Sequence, residues 1–394
     1  MSSRRLAVVS SHPIQYQAPW FRALAERPEI DLDVFYCHRA TPQEQAGAGF
    51  NVEFDWDVSL LDGYSHRFLR NVARKPSLHG FAGIDTPEIA TIVKEENFDA
   101  VIVNGWNYKS AWQAMRACWR TKTPVMVRGD SHLLTERSPA KRLAKLPLYR
   151  WFIPKLDACL PVGKWSRDYF LHYGAKPDRV FVVPHVVDVK FFRSEAQRLQ
   201  VERSELRKKW LLDEDAMVFL FVGKFIPKKR PLDFVSAIAN ANSNGTRIMG
   251  LMVGDGPLRI TCNQAVENTN APIRFTGFLN QSEISQAYAV ADALVLPSDG
   301  GETWGMVVNE AMASGLPCFV SDAVGCGPDM IAPGQTGDIF ALGDINRLAS
   351  LLTFYAERSD GLTRMGETAK CKINEYSISA AVDGVMHAIR AVLN

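Results

Sequence analysis

A chain of 394 residues, 47% hydrophobic and 22% charged, has the length for two or three domains and the composition of an ordinary globular protein. Its formal net charge of +2 gives no global case for nucleic-acid binding. No stretch approaches the ~20 apolar residues that span a bilayer, and the apolar run behind Arg4 and Arg5 is too short for a signal peptide. Seven scattered cysteines without a C-x-x-C pair favour reduced, buried thiols over disulfides or a zinc site. The expectation is a cytoplasmic protein, neither secreted by that route nor integral.

Short apolar runs alternate with amphipathic segments throughout, the pattern of parallel sheets covered by helices. The first strand is expected over Arg5–Val9, followed by the loop Ser10–His12 and a helix from Pro13 to about Arg27. Open α/β sheets bind ligands at such strand ends, so His12 is a candidate acceptor-site residue, with capping or packing as the other reading. Further strands are expected at Leu32–Tyr36, Tyr64–Leu69, Ala100–Val103, Pro124–Val127, Ala158–Pro161 and Val180–Val183. Helices are expected at Thr86–Glu96, Tyr108–Arg120, Pro139–Phe152 and Lys164–His172. The D-x-D of Asp31 and Asp33 begins a strand, whereas a metal site of that type needs a loop after one; it reads as solvent-facing alternation and no metal is expected.

Three strand-end loops are candidates for a substrate wall: Ser10–His12, Asn104–Asn107 with Trp106, and Arg128–His132 with Asp130. Between Arg120 and Asp168 eleven Lys or Arg stand against four Asp or Glu. Within that tract Lys141, Arg142, Lys145, Arg150 and Lys155 accompany Leu143, Leu146, Leu148, Trp151 and Phe152. This is either an interfacial helix for anionic lipid or a solvated face over a core, and Pro147 interrupts it.

A charged helix over Glu195–Lys209 precedes the second half, which opens with a buried strand and the basic turn Gly223, Lys224 to Lys229. Both lysines stand where a diphosphate would lie if this sheet binds ligand in the usual crevice; surface lysines are the alternative. Gly254-Asp255-Gly256-Pro257 is a turn that permits close backbone approach. Arg274–Phe278 ends another strand, Ile284–Ala291 makes a helix and Ala293–Leu296 a strand. The stretch Pro297–Pro328, PSDGGETWGMVVNEAMASGLPCFVSDAVGCGP, then reads as loop, helix, buried strand and glycine-rich loop. Its helix, Trp304–Ser314, carries Met306, Val307, Ala311 and Met312 at helical spacing, with Gly315 at its end. A glycine turn before a helix N-terminus is a standard way to hold a phosphate. Glu302 lies before that end and Glu310 eight residues on, an offset of at most ~12 Å in helix. Acceptor groups flanking an anion cradle suit a nucleotide-sugar. A small strand near Asp338–Ala341, a helix over Asn346–Arg358 and an amphipathic helix over Ile378–Leu393 complete the chain.

Pro297–Pro328 resembles the E-x7-E signature of the retaining glycosyltransferases of family 4. The resemblance implies a GT-B fold: an α/β protein of two Rossmann-like domains facing across an interdomain cleft. It divides the chain into an acceptor-binding domain, residues 1–190, a nucleotide-sugar-binding domain, 191–375, and a C-terminal helix, 376–394, packing back on the first. Pro184–Asp188 is similar to the family's P-N-G-V-D junction, departing at His185 and Val186. In the G-R-L-x-x-x-K-G pattern Gly223 and Lys229 match, Lys224 replaces arginine and Arg230 the last glycine. Counting from Pro124, the place of the family's histidine near the reaction centre falls on Asp130. That carboxylate would orient the acceptor hydroxyl or take its proton, with His132 assisting, or else cap a helix or pair with Arg128. The family's glycine-rich turn near His12 is absent.

The resemblance further implies that Glu302 holds sugar hydroxyls and Glu310 the ribose. Lys224, Lys229 and the backbone of Gly305, Met306 and Val307 would stabilise the leaving diphosphate, with Gly223, Gly254, Phe278 and Trp304 lining the donor site and Phe278 beside the base. His12, Trp106, Arg128 and His132 are the expected acceptor contacts. Asp130, Glu302 and Lys229 are the expected catalytic residues. The expected donor is a UDP-sugar, then GDP-mannose, used as co-substrate with no other cofactor. The expected acceptor is a hydroxyl of a sugar, lipid-linked sugar or small molecule. Rival readings are a nucleotide-sugar epimerase of the same fold and a non-catalytic nucleotide-sugar sensor.

Overall fold

Two parallel six-stranded sheets, each layered with helices, make up the computed structural model, which describes residues 3–135, 138–242 and 247–393. Backbone contacts divide the chain into two units: 1–44, 59–186 and 377–394 form the first, 45–58 and 187–376 the second.

In the first unit the strands are β1 (Arg4–Ser10), β2 (Ile30–Tyr36), β3 (Ser65–Phe68), β4 (Ala100–Asn104), β5 (Val125–Gly129) and β6 (Ala158–Pro161), in the order β3-β2-β1-β4-β5-β6. Leu6, Val8, Val34 and Ile102 bury on one face, where they meet Val382, Val385 and Ile389 of the helix Ile378–Leu393. Val9, Val101, Val103 and Val127 bury on the other, beneath Lys109–Thr121 and Pro139–Phe152. The alternation along each strand therefore feeds two cores, which is why these strands read as nearly continuous apolar runs. The C-terminal helix approaches closely because residue 384 is glycine; a Cβ there would lie 2.2 Å from the Val182 carbonyl oxygen.

In the second unit the strands are β7 (Met217–Val222), β8 (Ile248–Val253), β9 (Ile273–Gly277), β10 (Ala293–Leu296), β11 (Cys318–Ser321) and β12 (Gly337–Phe340). Their order is β12-β11-β10-β7-β8-β9. Each sheet thus reverses its direction of winding at one place, between β1 and β4 in the first and between β7 and β10 in the second. Open α/β sheets bind ligands outside the carboxyl ends of their strands at such switch points.

Several expected elements differ, the first helix spanning only Ala18–Ala25 where Pro13 to about Arg27 was expected. Val180–Val183 makes no strand: Val180 forms an isolated bridge to Cys159, and Phe181 and Val183 donate to the carbonyls of Cys159 and Pro161. Alternate bonding to β6 satisfies these groups without a full ladder. The helix expected over Glu195–Lys209 starts earlier and is broken, Val189–Leu199 and Arg203–Lys209 being joined by a 3-10 turn. Asp188 caps the first, its carboxylate accepting from the Phe191 N–H at 2.9 Å.

Candidate active site

The loops after β7 and β10 meet at the switch point of the second sheet. After β7 the chain turns through Gly223, with φ of +155°, and the 3-10 turn Pro227–Lys229. After β10 it passes through Ser298 and Asp299 to Glu302. The Asp299 N–H donates to the Lys228 carbonyl at 2.8 Å, the Gly301 N–H to Asp299 Oδ1 at 2.7 Å, and the Glu302 N–H to the Asp299 carbonyl at 2.9 Å. This backbone scaffold brings Lys229 Nζ to 2.5 Å from Glu302 Oε2, with Lys228 Nζ at 4.0 Å.

Electrostatics follow from that placement. Burial alone would raise the Glu302 carboxyl, but the charges of Lys229 and Lys228 and hydrogen bonds from Lys229 and Ser298 outweigh it and hold the group below the usual range. Lys224 falls to about 8, through burial first and repulsion from Lys228 and Lys229 next, with Glu302 opposing. Three lysines thus converge on one buried carboxylate, an arrangement that can receive a diphosphate.

Close backbone approach underlies the site. Gly254, after β8, has φ of +123°, and a Cβ there would lie 2.0 Å from the Gly223 carbonyl oxygen. Its N–H donates to the Gly277 carbonyl at 2.8 Å, tying the ends of β8 and β9 together. The helix Met306–Ala313 begins at Gly305, whose φ of +110° suits glycine, and a Cβ there would crowd Leu296 at 2.9 Å. Helix geometry leaves the first N–H groups, those of Met306 and Val307 included, without an intrahelical acceptor.

Glu310 lies on that helix and accepts a 2.6 Å hydrogen bond from the Tyr288 hydroxyl. Burial raises Glu310 to about 7, against the pull of Tyr288 and Lys229. Tyr288 was not among the expected site residues; no sequence spacing pairs it with Glu310, because the two helices meet only in the fold. Trp304 is buried, its indole N–H donating to Asn309 Oδ1 at 2.8 Å and its ring 5.8 Å from that of Tyr376. It shapes the turn from within. Phe278 is half-buried, with the Phe54 ring centroid 4.4 Å away. No periodicity or motif in the sequence marks the segment that contains Phe54.

In the first unit the carboxyl ends of β1 and β4 are joined, Asn104 Nδ2 donating to Ser10 Oγ at 2.6 Å. His12 is half-buried, and Ser11 Oγ lies 3.0 Å from its Nδ1. Burial and then His38 push His12 down to about 4, with Glu44 opposing, so it is a neutral imidazole at neutral pH. Asp130 is half-buried at the end of β5.

The other three expected acceptor residues are interior. Arg128 donates to the carbonyls of Val183 at 3.2 Å and Pro184 at 2.8 Å, holding the end of the domain to its sheet. Trp106 is 5% exposed, packs among Tyr149, Phe152, Tyr169 and Phe170, and would be met by a Cβ at Gly129. His132 is 2% exposed, accepts from the Leu134 N–H at 3.2 Å and borders a cavity of about 500 Å³ with Leu146, Tyr169 and Tyr173. A larger cavity in the second unit, about 730 Å³, is lined by Gly334, Phe354, Arg358 and Arg364 and includes none of the expected donor residues.

Asp33 accepts from Ser65 Oγ at 2.7 Å and pairs with Arg5 at 3.2 Å, and Asp31 lies 3.6 Å from the same guanidinium. These acids are engaged in binding Arg5, and among the described residues no group of three His, Cys, Asp or Glu is placed to hold a metal ion. The helix Pro139–Phe152 exposes Leu143, Leu148 and Trp151 beside Lys141 and Arg150; the Arg142 side chain lies outside the described residues. Among the described residues no helix is long and apolar enough to cross a membrane.

Known proteins bear on both units. The family described as Glycosyl transferases group 1 matches residues 202–372, and the Glycosyl transferase 4-like domain matches 13–185. The N-acetyl-alpha-D-glucosaminyl L-malate synthase of Bacillus anthracis is 29% identical over 174 residues, 44% of this chain and 45% of that protein. The chain thus spans about half the length of the curated relatives it matches. A glycosyltransferase from Rickettsia africae superposes with a TM-score of 0.74 at 15% identity over 100% of both chains. Anabaena HepE, solved with UDP and glucose, does so with 0.70 at 14% identity over 97% of this chain and 98% of its own. Matches over both halves, together with the two six-stranded sheets, establish that the chain belongs to the group 1, GT4-like family of glycosyltransferases with the GT-B fold.

Proposed function

We propose that the protein is a retaining, metal-independent glycosyltransferase that moves a hexose-type sugar from a nucleoside diphosphate to a hydroxyl acceptor. Its setting would be polysaccharide, glycolipid or glycoconjugate synthesis. The observation that carries this is the Lys229–Glu302 pair, which joins the two loops at the switch point of the second sheet. The chemistry follows from the residues there. Lys224, Lys229 and the N-terminus of Met306–Ala313 take up negative charge on the departing diphosphate. Glu302, kept ionised by its lysines, can only accept hydrogen bonds, and so orients sugar hydroxyls. Glu310, fixed by Tyr288, accepts from the ribose. The acceptor oxygen bonds to the anomeric carbon on the face from which the phosphate leaves, the bond to phosphate breaks, and a phosphate oxygen takes the proton. Asp130 orients the acceptor hydroxyl, and His12, a neutral imidazole after β1, is a further acceptor contact.

A UDP-sugar is the first donor to test, supported by the UDP held in Anabaena HepE, and GDP-mannose the second. A thermal-shift screen of nucleoside diphosphates reads the base directly, since a ligand at 100 times its dissociation constant adds ~2.7 kcal/mol of stability. Chromatography of the sugar-nucleotide after incubation without acceptor then separates the rivals. A changed sugar means an epimerase, and tight binding without turnover under any acceptor means a sensor. Peripheral docking on anionic lipid is proposed for Pro139–Phe152 on its exposed Leu143, Leu148 and Trp151 beside basic residues. Vesicle sedimentation that persists after neutralising Lys141, Lys145 and Arg150 would defeat it.

A further inference from the structure

Residues 45–58 follow β2 in sequence but belong by their contacts to the second unit. One end lies against the turn after β7: at Gly49, with φ of +103°, an added Cβ would be 3.4 Å from both Lys224 Cδ and Ile226 Cγ2. The other end is fastened to the turn after β9. Asn280 Nδ2 donates to the Asp55 carbonyl at 2.8 Å, the Ser282 N–H donates to Asp57 Oδ2 at 3.1 Å, and Ser282 Oγ donates to the same carboxylate. Between them Phe54, 9% exposed, packs on Phe278 at 4.4 Å with a tilt of 36°, and Trp56 meets Phe54 edge-on at 5.0 Å. The segment therefore runs across the carboxyl ends of β7, β8 and β9. Two strand spacings cover about 10 Å, comparable with the reach from a diphosphate to its base.

We propose that this segment is a wall of the donor site, and that Phe54 and Phe278 together form the apolar face on which the nucleobase stacks. The inference rests on the donor-site reading above and adds residues from a part of the chain that reading does not use. The bonds at Asp55 and Asp57 anchor the chain just after Phe54 to the turn that carries Phe278, so the aromatic pair acts as one preorganised surface. At Gly277 the carbonyl already accepts from the Gly254 N–H and from Thr276 Oγ1, the latter at 2.8 Å. Apolar stacking, which every base supports, is then the larger part of recognition at this edge. Uracil and guanine would both gain from Phe54.

The test measures binding of UDP, GDP and inorganic pyrophosphate to the full-length protein, its Phe54→Ala variant and its Asp57→Ala variant, by calorimetry. Pyrophosphate probes the lysine cradle without a base. Phe54→Ala should weaken UDP and GDP by roughly ten- to a hundred-fold while pyrophosphate affinity stays as in the wild type. Asp57→Ala, which releases only an exposed anchor, should weaken both nucleotides in the same sense and leave pyrophosphate unchanged. It decides the matter should Phe54→Ala lose pyrophosphate binding through misfolding. Nucleotide affinity equal to or tighter than wild type in a variant that still binds pyrophosphate overturns the proposal, the tighter case showing Phe54 to occupy the base's place. A wild-type protein that binds none of the three probes overturns the donor-site reading itself.

Discussion

Lys229 Nζ stands 2.5 Å from Glu302 Oε2, and both side chains are nearly closed to solvent. A buried pair of this kind is poor evidence of added stability, because desolvation offsets attraction, but it fixes two loops in register at the ligand end of the sheet. Lys229→Met removes charge from the leaving-group side and should lower kcat by about 10²–10³. Glu302→Gln keeps the shape but leaves Lys229 without its counter-charge and offers the sugar an amide in place of a carboxylate; it should lose activity on a similar scale. Steady-state rates of both variants check this, and near-wild-type turnover in both would remove the pair from the chemistry.

Donor binding should have a narrow pH window, because it needs Glu310 ionised and Lys224 charged. Burial lifts the first from 4.5 to about 7, and burial with neighbouring lysines lowers the second from 10.5 to about 8. Affinity for UDP-glucose, whose diphosphate has no ionisation nearby, should therefore fall as pH drops through about 7 and as it rises through about 8. Glu310→Gln should erase the acid limb. Lys224→Arg should push the alkaline limb outward, since arginine stays charged. Stability runs the other way on the acid side. Between 4.5 and about 7 the native state holds a proton on Glu310 that the unfolded chain has released, so that group's contribution declines as pH rises through this window. A flat binding profile across this range would sink the assignment.

How far the sequence reached depended on the kind of signal. Pro139–Phe152, Lys164–His172 and Ile378–Leu393 match their expected bounds residue for residue, because period and capping are local. The turns that carry Gly223, Lys229, Glu302 and Gly305 were legible as turns because strand, turn and helix follow one another without interruption. Tyr288 and Phe54 were not, since each meets its partner only through the fold, Phe54 across more than two hundred residues. Arg128 lies within β5, where periodicity in a strand buried on both faces does not tell which polar side chain turns inward, and Trp106 lies in the loop after β4, whose direction no periodicity sets. Both turned out to serve the core.

Gly254→Ala should disrupt the turn after β8 before it alters any side-chain contact. The new Cβ would fall 2.0 Å from the Gly223 carbonyl oxygen, at a φ of +123° that alanine resists. Strain and overpacking together should cost about 3 kcal/mol. Chemical denaturation monitored by circular dichroism gives the loss. A melting temperature equal to wild type would mean that the turn can open without harm.

Arg128→Met should be a stability variant. It takes a buried guanidinium from the carbonyls of Val183 and Pro184, leaving both acceptors unmet. A loss of about 2–4 kcal/mol is expected, with calorimetric donor affinity unchanged below the melting transition because the residues proposed to hold the donor lie in the other unit. Unchanged melting with impaired acceptor kinetics would instead return Arg128 to the acceptor site.

Asp130→Asn separates acceptor chemistry from donor binding. The residue directly follows β5 in the first unit, half-buried, two positions beyond the interior Arg128. An amide of the same shape retains the packing but loses the charged oxygen that accepts from and orients the acceptor hydroxyl, so kcat should fall by about 10²-fold or more. The donor's dissociation constant should stay as in the wild type, and so should the slow hydrolysis of the donor by water, which needs no acceptor contact. Measuring transfer, hydrolysis and donor binding on the one variant resolves the role. Equal losses in transfer and hydrolysis would point to a distorted fold, and an unchanged transfer rate would take Asp130 out of the mechanism.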